Sequence, residues 1–196
     1  MFFSLSSQVL KCVGVIAFAW PLTLCADAVL TSSSHCKANE LTVFSCRIDA
    51  KVVSICAEHQ GSDIVSLDYR FGALDRVELE YVANSSNNNR FFATVSPVSP
   101  RASVRQVWFM RGKFKYLVTE CMGGDCPQAG GLTVFRSDKL LSAQSCQRTG
   151  DDHAWFSSEI VKFGSEPDNS QSLSNLLQFD NIDNSVELIY PLPIRY

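Results

Sequence analysis

The chain has 196 residues, 17 of them basic and 20 acidic, a net charge of −3, and 8 cysteines. No run of Lys and Arg is available to track a phosphate backbone, so nucleic acid is not an expected partner.

At the start, one positive charge at Lys11, an apolar run from Cys12 to Cys25, and Ala26-Asp27-Ala28 follow the order of a secretory signal peptide. Cleavage is expected after Ala28. Pro21 interrupts the run and Asp27 ends it, short of the roughly 20 apolar residues that cross a bilayer, so no membrane span is expected in the mature form. Lipid anchoring through Cys25 is the alternative, although the large Leu24 stands where a small residue usually precedes a lipidated cysteine. Taking 28 residues from 196 leaves 168, the size of one domain. Residues 29–196 are therefore read as a single β domain, periplasmic or secreted.

The reading centres on residues 41–82, four consecutive strand-like segments separated by turns. In the last of them, Val77, Leu79 and Tyr81 alternate with Arg76, Glu78 and Glu80, a period of two that puts oil on one face and charge on the other. An antiparallel sheet with one oily face needs a second layer or closure on itself. A solvated Asn-rich loop at 84–90 precedes a fifth strand at 91–95. Segments 104–110 and 114–119 flank Arg111-Gly112-Lys113, whose glycine permits the positive backbone angle of a hairpin. Two more strands are predicted at 132–136 and 140–146, around Ser137-Asp138. The fold class is all-β: an antiparallel β-sandwich or partly closed barrel, containing disulfides. In the tail, Leu173, Leu176 and Leu177 recur three and four apart and predict a short C-terminal helix over 170–179, with an edge strand at 186–190.

Six cysteines follow Ala28: Cys36, Cys46, Cys56, Cys121, Cys126 and Cys146. An even number in an exported chain reads as up to three disulfides. Cys121 and Cys126 flank a short flexible loop and are the favoured pair. A tight hairpin at Asp49-Ala50 places Cys46 opposite residue 53, with Cys56 about 10 Å further along, beyond the roughly 7 Å limit of a disulfide. Either the connection is not a tight hairpin or each bonds elsewhere, with Cys36 and Cys146 as the remaining choices. The chain lacks a CxxC pair, so no metal site is expected, and no cofactor motif is present.

Catalysis through a nucleophile needs a histidine oriented by an acid. His35, His59 and His153 stand in no recognisable nucleophile turn, so no catalytic residue is assigned and the chain is read as a non-enzyme. Asp151, Asp152, Asp180 and Asp183 are read as solvated charge, since the rest of a calcium loop pattern is missing. Aromatic residues offer contact surface. Strand 104–110 carries Trp108 on one face and Phe109 on the other, so it is either buried between layers, core packing being the expected job of most such rings, or shows one ring to solvent as a sticky patch. Met122, Asp125 and Gln128, in the loop from Met122 to Gln128, complete the expected protein-binding set.

Phe44-Ser45-Cys46, Ser54-Ile55-Cys56, Leu67-Asp68-Tyr69-Arg70-Phe71-Gly72 and Glu78-Leu79-Glu80-Tyr81, with Ala129-Gly130-Gly131-Leu132-Thr133-Val134 and Cys146, resemble a group of small exported bacterial proteins of unassigned function. The resemblance covers about residues 36–147, and the chain departs from the group in its 121–126 loop and its longer tail. In size, compartment and β content it is also similar in type to periplasmic lysozyme inhibitors and immunity proteins. Those block an enzyme with an inserted loop or a rigid edge, which implies an exported protein-binding module acting on a cell-wall hydrolase. The alternatives are a structural or envelope-maintenance protein and a hydrolase with an unrecognised site.

Overall fold

The computed structural model describes residues 34–126, 130–147 and 175–179. Among the described residues ten strands run in chain order: β1 (Glu40–Ile48), β2 (Lys51–Gln60), β3 (Asp63–Ala73), β4 (Arg76–Asn84), β5 (Phe91–Ser99), β6 (Ala102–Arg111), β7 (Phe114–Gly123), β8 (Gly130–Arg136), β9 (Lys139–Ser145) and β10 (Leu177–Phe179). They form two open sheets, β1-β2-β3-β4 and β10-β5-β6-β7-β8-β9. Two-residue links make every hairpin except β7–β8, whose strands are joined by residues 124–129. Asp49 and Ser137 take positive φ at two of these turns, and Gly112 does so at 59° in the β6–β7 turn. Among the described residues no helix is long and apolar enough to cross a membrane.

Alternation builds the core between the sheets. On the inner face of the first sheet, Phe44, Ile55, Tyr69 and Tyr81 stand side by side in register. The second sheet answers with Phe91, Val107, Phe109, Tyr116 and Leu132. Phe109 is the hub: its ring lies 4.1 Å from Tyr81, 4.8 Å from Tyr69, 5.0 Å from Tyr116 and 5.5 Å from Phe91. Burying each such ring contributes roughly 1.5–3 kcal/mol, which makes this contact the main tie between the layers.

Two irregularities depart from simple period-two reading. Val43 is an extra residue in β1, and it lets Val43 and Phe44 both be buried although they are adjacent. Glu78 is likewise inserted between the pairs Phe71–Leu79 and Gly72–Val77. One extra residue inverts the faces beyond it. Leu79 and Tyr81 therefore pack on the core while Val77 turns outward and is 43% exposed, so the expected three-residue apolar face holds for two of its members.

The expected helix over 170–179 is corrected. Asn175 and Leu176 keep helical backbone, but Leu177–Phe179 pairs with Phe91–Ala93 of β5, and in parallel, in an otherwise antiparallel sheet. Leu176 and Leu177 are both buried, 4% and 1% exposed. Leucines three and four apart fit a helix when one face suffices. Here the open edge of β5 supplies backbone partners and the core takes two neighbouring leucines, so tertiary burial overrides the local period.

All six cysteines pair as Cys36–Cys56, Cys46–Cys146 and Cys121–Cys126, with Cα–Cα distances of 5.4, 5.5 and 5.7 Å. Cys46 does face Val53. It also lies on the inner face of its sheet and Cys56 on the outer, which gives the two sulfurs different neighbours. Cys46 reaches across to the end of β9, where the amide of Gln147 also donates to the Arg47 carbonyl at 2.8 Å. Cys56 instead holds the leader segment 34–37 against the outer face of the first sheet. Three disulfides fit an oxidising compartment.

Candidate functional site

The exposed loop joining β7 to residue 126 is built from one close approach and two fasteners. Gly123 pairs with Ala102 and takes φ of 115°, where a Cβ would stand 1.9 Å from the Arg101 carbonyl oxygen, so no other residue fits. The chain then turns through Gly124 and Asp125 to Cys126, whose amide donates to the Gly123 carbonyl at 3.3 Å. The Cys121–Cys126 bond is the first fastener, and its sulfurs pack with Ala102 and Val104. Asp125 is the second. It accepts from the Ser99 hydroxyl at 2.7 Å and from the Arg101 guanidinium, which together hold its carboxyl below the usual range, Arg101 being the larger cause. Gly123, Gly124 and Asp125 are exposed and Met122 half-buried, so the loop is a stiff knob with its carboxylate fixed in place. Gln128 lies outside the described residues.

Of the two arrangements open to the Trp108–Phe109 strand, the structure has the buried one, and neither ring forms a sticky patch. Phe109 is 1% exposed in the core. Trp108, on the opposite face of β6, is 7% exposed, stacked 5.8 Å from Phe92 beside Leu117 and Phe135, with the Lys115 ammonium 4.7 Å over its ring. The physical reason is position: β6 is an interior strand of a six-stranded sheet, and both of its faces are covered.

Other candidates resolve into structural roles. The His35 ring meets the Gly72 carbonyl at 3.2 Å and its amide donates to Ser54, whereas His59 is exposed at the end of β2. His153, Asp151, Asp152, Asp180 and Asp183 lie outside the described residues. Cys36, Glu40 and Cys56 gather within 4.8 Å, but the two sulfurs are bonded to each other and offer no thiolate, and Glu40 is engaged by Arg70. A groove of about 340 Å³ opens beside the Asn-rich loop. Its amides mostly build the loop itself: Asn87 accepts from the amides of Asn84 and Asn89, and both Asn87 and Asn89 donate to the Val82 carbonyl.

One cluster was not foreseen. On the outer face of the first sheet, Arg70 is 3% exposed, and all five of its N–H groups have acceptors. Nε donates to Glu80 at 3.0 Å; Nη1 donates to Glu40 at 2.6 Å and to the His35 carbonyl at 3.1 Å; Nη2 donates to Glu40 at 2.9 Å and Asp68 at 2.6 Å. The Arg70 hydrogen bonds, with help from Lys37, hold the Glu40 carboxyl at about 2 although burial pushes the other way. The cluster binds β1, β3, β4 and the leader together. Its sequence signal was an arginine at a strand position flanked by Asp68 and facing Glu80, with Glu40 too far away in the chain to suggest itself.

No protein-family model, no curated protein and no solved structure matches this chain. The functional reading therefore rests on the geometry just described.

Proposed function

We propose that this chain is an exported protein-binding module, periplasmic or secreted, that inhibits a cell-wall hydrolase or confers immunity to one. The stapled loop around Met122 and Asp125 is its contact element. The observation that carries the reading is the double fastening of an exposed loop, by Cys121–Cys126 and by Asp125 on Ser99 and Arg101. A loop held in one shape before contact loses less freedom on binding, and that difference appears directly as affinity. Two glycines and a fixed carboxylate at its apex suit entry into a narrow, polar cleft. The pattern of disulfides and the resemblance in type to exported inhibitors support the same reading.

The test mixes the oxidised protein with a panel of lysozymes and amidases. One member is expected to lose activity on stoichiometric addition. Replacing both Cys121 and Cys126 by Ser, or Asp125 by Ala, is expected to weaken that inhibition by about tenfold, equivalent to about 1.4 kcal/mol. Unchanged hydrolase rates across the panel at micromolar protein would sink the proposal.

A further inference from the structure

The opposite end of the β6–β7 ribbon from the stapled loop carries a second surface. Here two hairpin tips lie side by side: the β6–β7 turn at Gly112-Lys113 and the β8–β9 turn at Ser137-Asp138. The Ser137 amide donates to the Lys113 carbonyl at 2.7 Å and fastens one tip to the other. Strand register then brings Arg111, Phe114, Arg136 and Lys139 into one row across β6 to β9, and Met110, Lys115, Phe135 and Leu140 into the parallel row on the other face.

Two properties coincide at this end. Arg111, Lys113, Arg136 and Lys139 supply four cations, and Asp138 is the single carboxylate within the two turns themselves, in a chain whose acidic residues outnumber its basic ones. Among the described residues, no carboxylate lies within ion-pair distance of Arg111, Lys113, Arg136 or Lys139. Interleaved with these cations are Met110, Phe114, Leu140 and Leu141, which are 44%, 37%, 47% and 49% exposed. They are four of the seven large apolar side chains so exposed among the described residues. A solvated hairpin end explains the charges but not the oil beside them.

We propose that the paired tips dock on the surface of an anionic phospholipid bilayer. The tips project apolar side chains from both faces of a narrow edge, a shape that enters the boundary between headgroups and acyl chains. The flanking Lys and Arg reach back to lipid phosphates while their stems cover the apolar contact. Nucleic acid would use the cations and leave Met110, Leu140 and Leu141 without a role. The stapled loop, at the far end of the ribbon, stays free for a partner.

The experiment is co-sedimentation of the exported, oxidised full chain with vesicles of phosphatidylcholine alone or of equal parts phosphatidylcholine and phosphatidylglycerol. Binding is expected on the anionic vesicles, falling as salt rises. Arg136→Gln with Lys139→Gln is expected to weaken it roughly 25-fold, about fivefold for each cation. Phe114→Ser with Leu140→Ser, which leaves every charge in place, is expected to weaken it at least as much. Circular dichroism and a free-thiol count confirm that each variant is folded and oxidised. No preference for anionic vesicles, or binding indifferent to either pair, would overturn the proposal. So would binding that depends on the cations alone and is matched by heparin beads, an outcome that assigns the tips to soluble polyanions.

Discussion

Arg70 and Arg136 sit in strands of the same domain, yet their surroundings differ in every respect that matters for function. Arg70 is buried among Glu40, Asp68 and Glu80 and the His35 carbonyl, with each N–H used. Arg136 is exposed on a hairpin tip, 6.0 Å from the Phe114 ring, with other cations for neighbours. Charge that is desolvated and fully paired holds a fold together but has nothing left to offer a partner. Charge gathered in the open contributes little to the fold and keeps its capacity for an outside anion. The Arg70 cluster of the first sheet thus turns its ionic groups on one another, and the hairpin tips of the second display theirs.

Breaking the buried Arg70 cluster has the largest expected effect. Arg70→Met leaves Glu40 and Asp68 facing each other without the cation, and urea unfolding should report a loss of about 3–5 kcal/mol. Arg70→Lys should recover only part of this, because an ammonium cannot supply the forked set of five donors. A change below about 1 kcal/mol for Arg70→Met would put the two clusters on the same footing and dissolve the contrast.

Acid gives the next largest effect. The Glu40 carboxyl is held from its usual 4.5 down to about 2 in the folded protein, chiefly by the Arg70 hydrogen bonds. Its folded value lies below its unfolded one, so its contribution is fully present above about pH 4.5 and is lost as pH falls through about 2. The expected loss from this group is on the order of 3 kcal/mol. Unfolding midpoints followed from neutral pH into that window should fall for the wild type. The Arg70→Met variant should show a flatter response, and equal slopes would remove Arg70 as the cause.

Smallest is the expected effect of neutralising the outward cluster. Replacing Arg111, Lys113, Arg136 and Lys139 together by Gln should shift stability by less than about 1 kcal/mol, with relief of mutual repulsion offsetting lost solvation. Thermal melts in low and high salt sharpen the point, since salt should narrow whatever difference remains.

The nine strands from β1 to β9 were legible because alternation, short polar links and turn residues such as Gly112 agree with one another along the chain. The Cys121–Cys126 pair was legible for the same local reason. What escaped was set by distance or by single insertions. Glu78 flips Val77 to the outside, a change no period-two count contains. Leu177 joins β5 because an edge elsewhere in the chain is open to it. Glu40 comes to Arg70 from thirty residues away, and Lys113 meets Ser137 across the β7–β8 pairing. Arg111, Lys113, Arg136 and Lys139 never form a run in sequence and become a patch only when two turns are laid together. For the stapled loop, the sequence disclosed the cysteine pair, and only the fold disclosed that Arg101 and Ser99 reach Asp125.

The bond between Cys46 and Cys146 spans 100 positions and encloses nearly the whole strand array. If the chain is exported as proposed, Cys36, Cys46 and Cys56 emerge from the translocon together, long before Cys146. Cys46 must then wait as a thiol beside two eager neighbours, or mispair with one of them and be released later. Export in a cell lacking disulfide isomerase activity should therefore trap chains cross-linked near their beginning. In the finished molecule the same ring keeps the pieces of a chain nicked at the 84–90 loop joined until reductant is added.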